Sequence, residues 1–231
     1  MTDSTRLSTG AILALTLVAC SSPLASPTPC PTSAPTGAEA TTILADAQRA
    51  VVETSLGSFT IELDATSAPI ATANFVALAR CEFYADITFH RVIASFVAQA
   101  GDPGTRTDRG PFQGLGGGGP GYQFEVEFPD TGQPYDQYAV AMANAMQYDL
   151  VTGEITGGTD TNGSQFFIDL ASLVDQLRPY YSVIGKVTDG TDVIDAIGAV
   201  ETNGTQSPPT TSDVPLEPVI IESVTVDSGP E

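Results

Sequence analysis

Tryptophan is missing from the 231 residues, histidine occurs once, cysteine three times, and Lys and Arg together eight times against 28 acidic residues. Each shortage closes a class of function. A single His, His90, with Cys20, Cys30 and Cys81 far apart in the chain, makes no Cys/His cluster of the spacing that zinc requires, so no metal or cofactor is expected. Eight basic side chains in a chain of net charge −20 cannot meet a phosphate backbone, which excludes nucleic acid as a partner. Polybasic attachment to anionic lipid is excluded on the same count. The apolar run Ala11–Ala19 is too short to cross a bilayer, which takes about 20 residues. Against these shortages, 42% hydrophobic and only 16% charged residues exclude wholesale disorder and leave room for one sizeable core.

The run Ala11–Ala19 has the size of a signal-peptide h-region. Leu17-Val18-Ala19-Cys20 after it resembles a bacterial lipobox, whose Cys is lipidated and becomes the new N-terminus. A plain secretory signal with an incidental Cys is the alternative. Residues 21–38 carry no charge and are crowded with Pro, Ser and Thr, the composition of an extended tether that buries no core. The chain therefore divides into a signal peptide at 1–19, a lipidated Cys20 with tether at 20–49, and a folded domain at 50–228. The expected location is extracytoplasmic, anchored to the cell membrane by lipid. Such a compartment permits a disulfide, but Cys30 falls in the tether and Cys81 in the domain, so two free thiols are expected.

The domain reads as mainly β. Ala50–Thr54 and Ser58–Leu63 flank Ser55-Leu56-Gly57, a hairpin with glycine where positive φ is needed. Pro69 opens a helix in which Ala71, Phe75 and Leu78 recur on one face. Extended runs follow at 88–93, 96–100, 122–127, 138–143, 165–168, 182–187 and 219–226, and a second short helix at 192–197. Many short strands and two helices point to a closed barrel with the helices outside.

Phe89-His90-Arg91, Phe96, Gln99 and Gly101-Asp102 stand in the order and spacing FHR-x-x-x-x-F-x-x-Q-x-GD. With Met142–Ala145, Asn162–Ile168, Ala73-Asn74-Phe75 and Gly185-Lys186-Val187, they resemble the cyclophilin family of peptidyl-prolyl isomerases over residues 50 to 228. The resemblance implies an eight-stranded antiparallel barrel capped by two helices, acting as a monomer on proline-containing polypeptides.

The chemistry asks for little apparatus. An X–Pro bond prefers trans by only ~0.5–1 kcal/mol but interconverts over tens to hundreds of seconds. Amide resonance sets a barrier of ~18–20 kcal/mol. At the twisted state the prolyl nitrogen becomes pyramidal and can accept a hydrogen bond, so no nucleophile, metal or cofactor is needed. A ~10⁵-fold acceleration requires roughly 7 kcal/mol, within reach of positioning plus one charge-assisted hydrogen bond. The resemblance assigns that donor to Arg91; its other reading is a salt-bridged strand residue. Phe96, Val97, Phe167, Leu177 and Tyr181 match the family's proline pocket, each of which would otherwise be ordinary core. Gln99 and Asn144 match the groups that hold the substrate backbone, and Ala143 and Gln165 line the same groove. His90 has no proton to transfer and is read as a packing or hydrogen-bonding neighbour of Arg91. The glycine run 114–121 lacks the GK[ST] ending and following helix of a phosphate loop. In the family such a loop borders the groove.

Counting back from Gly185, Gln176 falls where many eukaryotic members have Trp, and Tyr181 where they have His. Residues 146–161 form an insertion, either a small hairpin turning at Val151–Glu154 or a mobile loop. Asp149, Glu154 and Asp160 in it lack the regular spacing of a calcium loop and read as a solvated acidic surface. The functional reading is a prolyl isomerase for exported proteins, assisted by Arg91. The rival is a proline-binding chaperone module with little turnover.

Overall fold

The computed structural model describes residues 28–107, 116–129, 135–205 and 212–228. The signal at 1–19, Cys20, and Gly114 and Leu115 of the glycine run lie outside them.

Strands β1 (Arg49–Thr54) and β2 (Gly57–Leu63) form the expected hairpin, with Gly57 at φ +127° in the turn. Helix α2 (Pro69–Arg80) starts at Pro69 with no side-chain cap from Ala68. Its first free amides are met from a distance instead: the Glu127 carboxylate accepts from the N–H groups of Ile70 (3.1 Å) and Ala71 (2.8 Å), an anion at the positive end of the helix. Strands β3 (Ile87–Thr88), β4 (Arg91–Ile93), β5 (Val97–Ala100), β6 (Ala139–Met142), β9 (Phe166–Asp169), β10 (Val183–Asp189) and β11 (Ile220–Asp227) complete one curled sheet of nine strands. Their order is β3-β11-β1-β2-β10-β6-β9-β5-β4, and every pairing is antiparallel. The two ends of that order, β3 and β4, are separated in the chain only by Phe89 and His90. The run expected as a strand at 122–127 makes a single bridge, Phe124 with Asn162.

Among the described residues there are three α-helices, not two: two pack on the sheet and the third on α2. Helix α3 (Thr191–Gly198) matches the second expected helix. Helix α1 (Gly37–Leu44) lies inside the stretch read as tether. A capping box starts it: Glu39 N–H donates to Thr36 Oγ1, and the Glu39 carboxylate accepts from Thr36 N–H at 2.8 Å. Arg80, at the end of α2, donates to Ile43 O and pairs with Asp46 at 2.6 Å, drawing α1 onto α2. The expectation of free thiols is corrected at the same place. Cys30 and Cys81 form a disulfide with Cα atoms 5.1 Å apart. Sequence separation gave no geometry, whereas the return of the chain onto α2 brings the two sulfurs together.

The residues form two apolar clusters on opposite faces of the sheet. The larger holds Val52, Phe59, Ile61, Phe75, Leu78, Phe89, Ala98, Phe166, Ile168 and Ile184, with Phe166 at the centre of edge-to-face contacts with Phe75 (5.6 Å), Tyr84 (5.7 Å) and Phe89 (6.5 Å). Each such side chain withdrawn from water contributes about 2 kcal/mol. The smaller cluster, on the other face, is built around Val97, Tyr135, Phe167 and Leu173.

Candidate active site

Strand alternation sends Val92, Ala98, Phe166 and Ile168 into the larger core, so their neighbours Arg91, Gln99 and Phe167 point to the other face. The register then places these in one row: Arg91 lies opposite Gln99, Gln99 opposite Phe167, and Phe167 opposite Ala141. Residues directly opposite share a face and touch. Arg91 donates from Nη1 to Gln99 Oε1 at 3.4 Å, a long bond. Gln99 Nε2 donates to Gln165 Oε1 at 3.0 Å, and Gln165 Nε2 to Gly118 O at 2.8 Å. No carboxylate among the described residues is within salt-bridge distance of Arg91, so its other N–H groups are uncommitted.

The smaller cluster stands beside this row. Val97, Tyr135, Ala141, Phe167, Leu173 and Val183 are buried, and Phe96, Ala143, Leu177 and Tyr181 form its half-buried margin. All five residues matched to the proline pocket are therefore brought together, on the face that carries Arg91. Tyr181 meets Phe167 edge-on at 5.2 Å. Tyr135, which the sequence did not single out, fixes Tyr181: its hydroxyl donates to Tyr181 O and accepts from Tyr181 N–H, at 3.1 and 3.0 Å. Burial raises the pKa of both phenols, so both stay neutral.

A groove of about 480 Å³ continues from the row, lined by Gln99, Gly116–Gly119, Ala143, Asn144, Thr161 and Gln165 among others. Asp102 shapes its glycine wall. Buried at 1% exposure, it accepts from the N–H groups of Gly104 (2.7 Å), Gly116 (2.8 Å) and Gly118 (3.1 Å). Gly101 beside it has φ +93°, and a Cβ there would lie 2.4 Å from Ser164 O, so only glycine lets these two segments approach. Asn74 of α2 donates to Gly163 O at 2.9 Å and so ties the helix to the segment that carries Gln165.

Asn144 sits differently from its expected task, whereas His90 keeps to its own. Asn144 has both ends of its amide engaged within the protein, Nδ2 on Tyr180 O (2.8 Å) and Oδ1 on Met146 N–H (3.0 Å). Its side chain therefore holds the protein together at the groove's edge. His90 is buried, and burial, opposed in part by Asp102, lowers its pKa to about 4, which makes it a neutral packing residue at pH 7.

Residues 49–226 match the family described as cyclophilin type peptidyl-prolyl cis-trans isomerase/CLD. This chain belongs to the cyclophilin family. The cyclophilin is 34% identical over 203 residues to a probable peptidyl-prolyl cis-trans isomerase A of Mycobacterium leprae, covering 80% of this chain and 96% of that one. It is 35% identical to peptidyl-prolyl cis-trans isomerase-like 3 of Dictyostelium discoideum, covering 78% and 95%. Among solved structures, a Cryptosporidium parvum cyclophilin superposes with a TM-score of 0.63 at 28% identity, over 80% of this chain and 99% of that one. A structure of that protein in the presence of the dipeptide Ala-Pro superposes at 0.62 with 30% identity, over 79% and 100%. The protein is thus a peptidyl-prolyl cis-trans isomerase, and this cyclophilin has one helix more than expected together with the expected insertion at 146–161.

That insertion takes the hairpin alternative. Strands β7 (Gln147–Tyr148) and β8 (Ile155–Gly157) pair antiparallel. The Asp149 carboxylate closes the turn, accepting from the N–H groups of Val151 (2.9 Å) and Thr152 (2.7 Å) and the Thr152 hydroxyl (3.1 Å).

Proposed function

We propose that this cyclophilin accelerates X–Pro rotation through Arg91, on exported polypeptides, from a lipid anchor at Cys20. The observation that carries the catalytic part is the uncommitted guanidinium beside an apolar socket. Phe96, Val97, Phe167, Leu177 and Tyr181 grip a ring that offers no hydrogen-bond donor, and apolar walls are the fitting receptor. Arg91, held on one side by Gln99, lies near enough to Tyr181 at the socket's rim for its positive charge to be felt there. Gln99 and Gln165 form a polar edge able to take the carbonyl before proline, and the glycine-walled groove accommodates the preceding chain.

As the prolyl nitrogen pyramidalises, its lone pair leaves conjugation and accepts from Arg91. The hydrogen bond exists only in the twisted state, so it lowers the barrier without tightening the ground state. His90, neutral and buried, supports Arg91 sterically and moves no proton. We further read β3 and β4 as one interrupted strand that closes the sheet into an eight-stranded barrel. Phe89 N–H donates to Val219 O at 2.9 Å and His90 N–H to Gln99 O at 3.0 Å, so the junction bonds to both flanks.

Exchange spectroscopy or a protease-coupled assay on X–Pro peptides tests the mechanism. Arg91→Ala should lower kcat and kcat/KM together by more than ~10²-fold with folding unchanged, and Arg91→Lys should restore little, because a point charge does not reproduce the planar fork. Near-normal turnover in Arg91→Ala refutes the donor. Peptide binding without turnover in the unaltered protein identifies a chaperone module instead.

A further inference from the structure

The inserted hairpin and the proline socket share a chain segment, Leu177–Tyr181. Leu177 and Tyr181 face the smaller cluster, while Arg178 and Tyr180, between them, engage the hairpin. The Tyr180 hydroxyl donates to Gly153 O at 2.5 Å, and its ring meets Tyr148 at 5.1 Å with the planes 62° apart. The Arg178 guanidinium lies over the same Tyr148 ring, 5.6 Å from its centroid. Tyr180 O accepts from Asn144, whose other end holds Met146 at the foot of the hairpin. Phe128 covers the outer side of Tyr180, edge-on at 6.4 Å. The segment is therefore clamped from within by Tyr135 and from without by the hairpin.

We infer that Tyr180 is a positioning residue for the isomerase reaction. It braces Leu177 and Tyr181 against the inserted hairpin, and the hairpin thereby sets how firmly the socket grips proline. This rests on the reading of the socket given above. Arg91 sits on β4, outside the clamp, so loosening the clamp weakens ground-state and twisted-state binding alike. Such a change raises KM and spares kcat, whereas general unfolding lowers the active fraction and with it kcat.

The test uses the mature chain with its disulfide intact. It compares Tyr180→Phe, Tyr180→Ala, a variant with Gln147–Gly157 replaced by a Gly-Ser link, and the combination of the last two. kcat and KM are read on an X–Pro peptide, and affinity for the same peptide by NMR titration. Tyr180→Ala should raise KM about tenfold, about 1.4 kcal/mol of lost grip, with kcat within about twofold. Removing the hairpin should do the same, and the combined variant no more than either, because one clamp is removed twice. Tyr180→Phe, which keeps the ring and loses only the Gly153 bond, should raise KM about two- to threefold. It serves as the reading if a harsher variant fails to fold. Unchanged KM in Tyr180→Phe and every folded variant, additive effects, or a kcat that falls as far as KM rises would overturn the inference. An unaltered protein that neither isomerises nor binds the peptide overturns the isomerase reading itself, and this inference with it.

Discussion

Replacing Asp169 by asparagine should stabilise this protein, and by more as the pH rises. Asp169 lies opposite Val97 on the face of the smaller cluster, fully buried, and neither carboxyl oxygen has a hydrogen-bond partner among the described residues. Burial raises its pKa from 3.8 to about 8, so the folded protein holds it as the neutral acid at pH 7. The unfolded chain releases that proton near pH 4. Between the two values the native state binds one proton more, and stability falls by about 1.4 kcal/mol per pH unit on account of this group. By pH 7 the loss approaches 4 kcal/mol, and water reaching the acid on local opening brings the expected value to roughly 2–4 kcal/mol. Asparagine has nearly the same shape and never ionises, and its unpaired amide costs about what the unpaired acid does. Urea unfolding of both proteins at pH 4.5, 6, 7 and 8 measures the difference. Near-equality at pH 4.5, widening steadily to pH 8 and level beyond, is the expected result. A difference that stays flat with pH, or narrows, refutes the reasoning.

Other expectations follow from the disulfide, the groove's edge and the leader. Cys30 and Cys81 close a loop across 51 positions, so Cys81→Ser should lower stability by up to about 4 kcal/mol in thermal or urea unfolding. An unchanged midpoint would show that α1 holds the segment unaided. Gln176 is exposed at the rim of the segment that carries Leu177, where a flat aromatic surface would cover an apolar inhibitor. Gln176→Trp should therefore tighten binding of an apolar cyclic peptide at that rim by roughly ten- to a hundredfold with isomerisation unaltered, and titration showing no gain would place another residue at that edge. Cys20→Ala should move the protein from the membrane fraction to the soluble or precursor pool; unaltered protein found soluble after export removes the lipobox reading.

Much of the site was legible because it lies on short strands, where alternate residues share a face. The spacing Arg91, Phe96, Gln99 and the pair Gln165 and Phe167 fixed which side chains could meet once β4, β5 and β9 paired. The β1–β2 hairpin and α2 announced themselves through Gly57 and Pro69. What escaped depends on long-range packing. Helix α1 was hidden by Pro, Ser and Thr around it, although Thr36 and Glu39 carry the capping signal. Nothing local tells that Asp169 is buried, since an acid after Phe-Phe-Ile could equally end a strand at the surface. The clamp on Tyr180 joins residues from three separate stretches of chain. The run at 122–127 has strand composition, yet Phe124 and Val126 spend their amides on a loop at 159–162.

The disulfide also changes the length of the leash. Read from sequence, the free tether ran from Cys20 to residue 49, some thirty positions, enough at full extension for a standoff of roughly 100 Å. With Cys30 bonded to the end of α2, only about ten positions remain between the proposed lipid and the body of the protein. Ten residues reach at most about 35 Å, close to the width of the domain itself. An enzyme so moored would sweep only the layer next to the bilayer, and its clients would be chains emerging there.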